Sequence, residues 1–168
     1  MMAMTAKPLV QVFLGSASDR EMAEHTRTRL NQFGIPHQIT ISSAHRSPER
    51  TAALAASAER RGVKVIIAMA GGAAHLAGVI AAHTVLPVIA VPLATTPLGG
   101  FDALLASVQM PAGVPVATVA VGRFGAENAA ILAAQILALG DPALRQKLQE
   151  FKAELARKVE ESDRQGGE

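Results

Sequence analysis

Five short runs rich in apolar and β-branched residues recur along the chain, at Leu9–Leu14, His37–Ile41, Val63–Ala68, Pro87–Val91 and Pro115–Ala120. The segments between them carry apolar residues at helical spacing, and no linker-like stretch interrupts the alternation. Strands alternating with helices at this interval predict a parallel sheet with helices on both faces.

The helix ends are marked in the sequence. Ser18-Asp19-Arg20-Glu21 fits a capping box at the head of the first helix. Ser47-Pro48-Glu49 offers an N-cap and a proline at the first helical position, and Asp141-Pro142 repeats the device for the last helix. Gly34 and Gly62 stand where left-handed C-terminal caps belong. Ala73–His83 and Ala126–Leu139 predict two further helices that are nearly free of charge. The expected architecture is a flavodoxin-like three-layer α/β/α sandwich with a central parallel sheet and an extra C-terminal helix. It is expected as a single domain over 1–168, with a core of about 9–140 and the last helix at about 142–162.

That last helix carries a stripe of Leu144, Leu148, Phe151, Leu155 and Val159. The stripe could pack on its own chain or on a neighbouring one. A five-stranded sheet already has enough helices to cover its faces, so a neighbouring subunit is the expectation. Helices lacking a polar face point the same way, because a 168-residue subunit cannot easily bury them on all sides.

Charge sharpens the division. Only Asp102, Arg123 and Glu127 are charged between Val65 and Gly140, whereas Asp141 to Glu168 holds six basic and seven acidic residues. The middle is core and the tail a solvated surface. Val65–Ala94 is a 30-residue stretch without charge, so a membrane span must be considered. Gly71-Gly72, Gly78, Pro87 and Pro92 break it into two short strands around an Ala-rich helix, the pattern of buried parallel strands. Met1–Pro8 has one lysine and no apolar run, so no secretory leader is expected and a cytoplasmic location is the default.

Composition narrows the chemistry. The absence of cysteine removes thiol nucleophiles, disulfides and thiolate metal sites. A net charge of +2, with aromatics at 3%, gives neither the electrostatic footprint nor the stacking surface of a nucleic-acid binder. No paired-histidine spacing suggests a metal, and there is no G-x-S-x-G nucleophile elbow.

What remains is concentrated at three strand ends: Gly15-Ser16-Ala17-Ser18-Asp19, Ser42-Ser43-Ala44-His45-Arg46-Ser47-Pro48, and Ala70-Gly71-Gly72-Ala73-Ala74-His75. In an open parallel sheet these share one edge, where ligands bind. The first loop joins a tight turn to a helix N-terminus, which suits a phosphate. Asp19 would repel a phosphate and fits sugar hydroxyls better, although Ser18 and Asp19 serve equally well as a helix cap. In the second, His45 at the end of a buried strand beside a cation suits a proton shuttle, with Arg46 as an anion clamp. A solvated His-Arg pair is the alternative. Gly71-Gly72 lets backbone approach a ligand closely, and His75 is either a polar contact or a packed helix residue. His25, His37 and His83 have no partner pattern and are taken as structural. Together these loops indicate a small phosphorylated, sugar-bearing substrate and proton transfer by His45, and they leave the reaction open.

The same loops resemble the 5-aminoimidazole ribonucleotide carboxylase family of purine biosynthesis. So do Val108-Gln-Met-Pro111, Gly113–Thr118 and Asn128-Ala-Ala130 leading to Gln135–Leu137, and the similarity spans about Val10 to Leu155. The Gly-Gly-Ala-Ala-His-Leu loop is similar to class I members; class II members, which use carbon dioxide directly, differ there. The resemblance implies transfer of a carboxyl group from an exocyclic nitrogen to ring carbon 4 of an aminoimidazole ribonucleotide, in IMP biosynthesis, with no ATP, metal or organic cofactor. It makes His45 the acid/base residue, Ser16 and Ser18 phosphate contacts, Asp19 the ribose ligand and Arg46 the clamp on the phosphate side. Ser43 and Ala44 come with that second loop. Gly71, Gly72, Ala73, Ala74, His75 and Leu76 match the loop around the imidazole and carboxylate.

It further implies a small-molecule ribonucleotide as substrate, no nucleic acid or membrane partner, and a homo-octamer. A hand-over of substrate from an ATP-dependent carboxylating enzyme stays open. Met69, Ala77 and Ala90 depart from the family pattern, as does Thr95–Asp102, without removing a residue given a chemical role. The competing readings are a direct carboxylase, a non-catalytic nucleotide-binding paralogue and, more distantly, a flavodoxin-like electron carrier.

Overall fold

The structure is a computed structural model that describes residues 7–165. The expectation for Met1–Pro8 therefore falls, through residue 6, outside the described residues. Five parallel strands, β1 (Val10–Leu14), β2 (His37–Ile41), β3 (Val65–Gly71), β4 (Val88–Leu93) and β5 (Ala117–Thr118), form one sheet in the order β2-β1-β3-β4-β5. The order reverses between β1 and β3, which makes that crevice the switch point of the flavodoxin-like arrangement.

Alternation of side chains sorts the core into two halves. Val10, Val12 and Leu14, with Val65, Ile67 and Met69 and with Ile89, Val91 and Leu93, face α1 (Arg20–Phe33), α5 (Arg123–Leu137) and the first turns of α6 (Pro142–Gln165). Phe13, Ile66, Ala68, Val88 and Ala90 face α2 (Pro48–Ser57) and α3 (Leu76–Ala81). The helix α4 (Phe101–Val108) contacts β4 and β5. The uncharged stretch Val65–Ala94 is thus β3, α3 and β4, and no helix among the described residues is long and apolar enough to cross a membrane.

The alanines of α5 have a local purpose. Ala126, Ala129, Ala130, Ala133 and Ala134 are fully buried, so α5 lies close against the sheet and α1. Thr26 of α1 uses that proximity to donate a 2.6 Å hydrogen bond to the Ala126 carbonyl. Arg29 reaches Glu127 at 2.9 Å and lies 5.0 Å over the Phe151 ring, joining α1, α5 and α6. Hydrogen bonds from Arg29 and Arg123 hold the Glu127 carboxyl below the ordinary carboxylate range.

Three expectations need correction. The capping box is Ser16 with Asp19, and it opens a 3₁₀ turn at Ala17–Asp19 ahead of α1; Ser18 and Glu21 do not form it. Both pairs satisfy the sequence pattern, and the turn that comes first takes the cap. The predicted helix at Ala73–His83 shrinks to Leu76–Ala81, because Ala74 and His75 bond back only two residues, to Gly72 and Ala73. The fifth strand pairs only through Ala117 and Thr118. It is an edge strand, and Pro115 has no N–H to extend it.

The stripe on α6 divides. Leu144 is buried, and Leu148 and Phe151 pack on the core, with Phe151 edge-on to Phe33 at 5.6 Å. Leu155 and Val159 lie on the exposed outer half. Asp141 Oδ1 accepts from the Leu144 N–H, the predicted N-cap, and Gly34 and Gly62 adopt the predicted left-handed geometry.

Candidate active site

The loops that follow β1, β2 and β3 meet at the switch point around a cleft of about 330 Å³. Each is fixed by its own hydrogen bonds. In the first, Asp19 Oδ2 accepts the Ser16 N–H at 2.9 Å, and the Ser18 hydroxyl lies 3.0 Å from Ser16 Oγ. Asp19 is therefore a cap and also part of the cleft wall. In the second, Ser42 and Thr51, both buried, share a 2.8 Å hydroxyl bond that ties the end of β2 to α2. Ser47 Oγ accepts the Ser43 N–H and donates to the Ser43 carbonyl, which closes the turn that presents Ala44, His45 and Arg46.

His45 is not at the end of a buried strand. β2 is the sheet edge, and His45 sits in an exposed turn beyond it. The Arg46 guanidinium turns from His45 toward the first loop, reaching the Gly15 carbonyl at 3.3 Å. The partner of His45 is His75: Nε2 and Nδ1 are 2.9 Å apart, with the rings edge-to-face at 4.9 Å. One ring must donate and the other accept. The pair gives the cleft mouth a proton that can move between two nitrogens.

Of the residues given a role from the sequence, Ser16, Ser18, Asp19, Ser43, Ala44, His45, Arg46, Gly71, Ala73 and Leu76 line the cleft. His75 stands beside it through His45. Ala74 points into the core at 3% exposure, and Gly72 supplies a positive φ of 60° without lining the cleft. Three lining residues were missed: Gly15, Ala70 and Thr95. The first two open the first and third strand-end loops but had been given no role. Thr95 follows β4, one strand beyond the switch point, at the head of the Thr95–Asp102 segment, to which no role had been given. Met69, Ala77 and Ala90 are core residues, each at most 3% exposed, so the departures from the family pattern at these positions lie away from the cleft. His25, His37 and His83 also lie outside it.

Burial raises the Asp19 carboxyl above its ordinary 3.8; bonds from Ser16 and Ser18 and the charge of Arg46 oppose the shift without cancelling it. A carboxyl raised in the folded state supports the fold fully below its unfolded pKa and loses that support as pH rises through the folded value. Asp19→Asn keeps an acceptor for Ser16 and removes the titration. The unfolding free energy of the wild type relative to Asp19→Asn is therefore expected to fall as pH rises from below 3.8, measured by urea unfolding across pH. A difference independent of pH would show that burial does not govern this carboxyl.

A parallel sheet in this order, with hydroxyls, a carboxylate, a guanidinium and paired imidazoles gathered at its switch point, defines a flavodoxin-like α/β protein with a polar cleft at its carboxyl edge. The family model for AIR carboxylase matches residues 9–158, and the chain belongs to that family. A Pyrococcus horikoshii protein named N5-carboxyaminoimidazole ribonucleotide mutase is 52% identical over 155 residues, covering 92% of this chain and 86% of that protein. A Bacillus subtilis protein of the same name is 48% identical over 159 residues, covering 95% and 98%. The crystal structure of Treponema denticola PurE matches with a TM-score of 0.85 at 30% identity, covering 96% of this chain and 99% of that one.

Proposed function

We propose that this chain is an N5-carboxyaminoimidazole ribonucleotide mutase of purine biosynthesis. It moves a carboxyl group from the exocyclic nitrogen to ring carbon 4, with His45 as the proton shuttle. The observation that carries the reading is the convergence of three strand-end loops on one cleft, in a chain about half identical to proteins of that name. Ser16, Ser18 and Arg46 take the phosphate end, and Asp19 takes the ribose hydroxyls. The backbone of Gly71 and the side chains of Ala73 and Leu76 enclose the ring.

In the proposed sequence, the N–C bond to the carboxyl breaks and carbon dioxide is released inside the cleft. His45 gives its proton to the amine nitrogen. Carbon 4 then attacks the carbon dioxide, and His45 takes the proton that carbon 4 must lose. One proton is given and one regained, so a single imidazole suffices and is reset each turnover. His75, bonded to His45, orients the ring and shares its proton. The residues require no redox partner for this exchange.

A homo-oligomer belongs to the proposal. Leu98, Phe101, Leu105 and Val108 form an exposed apolar row along α4 and its approach, and Leu155 and Val159 do so on α6. Rows of this kind are the usual material of subunit contacts; the octamer is the form that the family resemblance implies, and a cytoplasmic location is part of the proposal. The reaction is tested by supplying freshly made N5-carboxyaminoimidazole ribonucleotide without ATP and with a chelator. Appearance of the carbon-carboxylated product is expected. Product only from 5-aminoimidazole ribonucleotide and bicarbonate would make the protein a direct carboxylase, and product from neither would leave a binding protein.

A further inference from the structure

The cleft lining has two chemically different parts. Ser16, Ser18, Asp19, Ser43 and Arg46, from the first two loops, make one part polar. The wall from the end of β3 is Ala70, Gly71, Ala73 and Leu76, whose side chains offer no polar atom. Against that wall stands one hydroxyl, that of Thr95. We infer that the Thr95 hydroxyl is a further catalytic group: it holds an oxygen of the migrating carboxyl group and keeps the released carbon dioxide facing carbon 4. The inference rests on the carboxyl-transfer reading above.

The geometry of Gly71 carries it. A Cβ placed on Gly71 would lie 1.8 Å from Thr95 Oγ1, 2.7 Å from its Cγ2 and 2.8 Å from its Cβ. A side chain at position 71 would force Thr95 to move, so the Thr95 side chain occupies the space that the glycine leaves open. The φ of Gly71 is not in the left-handed region and does not itself call for a glycine. The hydroxyl itself makes no hydrogen bond to protein among the described residues, whereas its neighbour is firmly tied. Thr96 Oγ1 donates to Asp102 Oδ2 at 2.7 Å and accepts the Leu98 N–H at 3.2 Å. The Thr95 N–H donates to the Leu93 carbonyl at 3.1 Å. The Thr95 hydroxyl thus lies over Gly71, in an exposed residue next to the anchored Thr96, where a ligand oxygen in the cleft can reach it.

The chemistry explains why a neutral donor suits this part of the cleft. The carboxyl is anionic on nitrogen, uncharged as carbon dioxide, and anionic again on carbon. A cation there would bind both end states tightly and oppose release. A hydroxyl gives one directed bond of modest strength, and the apolar wall accommodates the uncharged intermediate. Losing that bond should let carbon dioxide reorient and escape, so that the nucleotide leaves decarboxylated.

The test uses the full-length chain with N5-carboxyaminoimidazole ribonucleotide, corrected for uncatalysed loss. Carbon-carboxylated product and 5-aminoimidazole ribonucleotide are both quantified. Thr95→Val keeps the shape and is expected to lower product formation by about tenfold or more, the usual cost of one hydrogen bond to a charged group, and to raise the decarboxylated fraction. Affinity for 5-aminoimidazole ribonucleotide, which lacks the carboxyl, should stay within about twofold, because the polar part is intact. Thr95→Ser should restore both turnover and partition. Wild-type partition in Thr95→Val overturns the inference, and so does equal loss in the serine variant, which would assign the effect to the methyl group. If the wild type itself forms no product, the carboxyl-transfer reading fails and takes this inference with it.

Discussion

His45→Asn is expected to abolish carboxyl transfer, a loss of about 10²–10⁴-fold, the usual contribution of a positioned acid/base group. Nucleotide binding should survive, because Ser16, Ser18 and Arg46, the groups proposed for the phosphate, are held by contacts that do not involve His45. Folding should survive as well. His45 is exposed, its turn is closed by Ser43 and Ser47, and β2 is tied down by the Ser42–Thr51 bond. Asparagine can still bond to His75 but cannot exchange a proton near neutral pH. Product formation measured beside the dissociation constant for 5-aminoimidazole ribonucleotide separates the two effects. Full turnover in His45→Asn would move the shuttle to His75, whose Nδ1 is 2.9 Å away.

The largest effect on stability is expected at a residue with no place in the chemistry. Gly125 lies in the first turn of α5, where alanine would ordinarily gain about 1 kcal/mol in helix propensity. Its Cβ, however, would fall 1.7 Å from the Ala120 carbonyl oxygen and 2.7 Å from its carbon, both main-chain atoms. Backbone cannot swing aside as a side-chain tip can. Either α5 must lift from β4 or the segment after β5 must move. Gly125→Ala is therefore expected to cost about 3 kcal/mol net, at the upper end of overpacking, and to lower Tm by about 6–12 °C. Gly140, with open space around its Cβ position, is the control: Gly140→Ala should stay within about 0.5 kcal/mol. A thermal melt of both variants checks the comparison, and equal melting points would show that the Ala120 contact yields easily.

The inner strands β1, β3 and β4 were legible because each is a run of largely apolar, buried residues, and the parallel sheet followed from the alternation of strands with helices. The ends of the elements were less so. Ser16-x-x-Asp19 and Ser18-x-x-Glu21 are equally good capping patterns, and only the 3₁₀ turn at Ala17–Asp19 decides between them. The polar part of the cleft was readable, since Ser16, Asp19, Ser43 and Arg46 lie in short loops whose position the sheet dictates. The contact between His45 and His75 was not, because it joins residues 30 apart in two independent loops. Thr95 was hidden for the same reason: its importance depends on how the loop after β4 leans over Gly71, and no spacing within either segment records that.

The two ends of α1 are open to change in different ways. At its far end, Gly34 closes the helix in a left-handed turn, with the Lys147 ammonium on the neighbouring Phe33 carbonyl; both are concerned only with holding the chain together. At its near end, Asp19 spends one carboxylate oxygen on the Ser16 N–H while the same side chain faces the cleft. A sequence drifting toward greater thermal resistance can improve the far end freely. Every improvement of the near end alters what a ligand meets, so that turn is where durability and activity must be negotiated together.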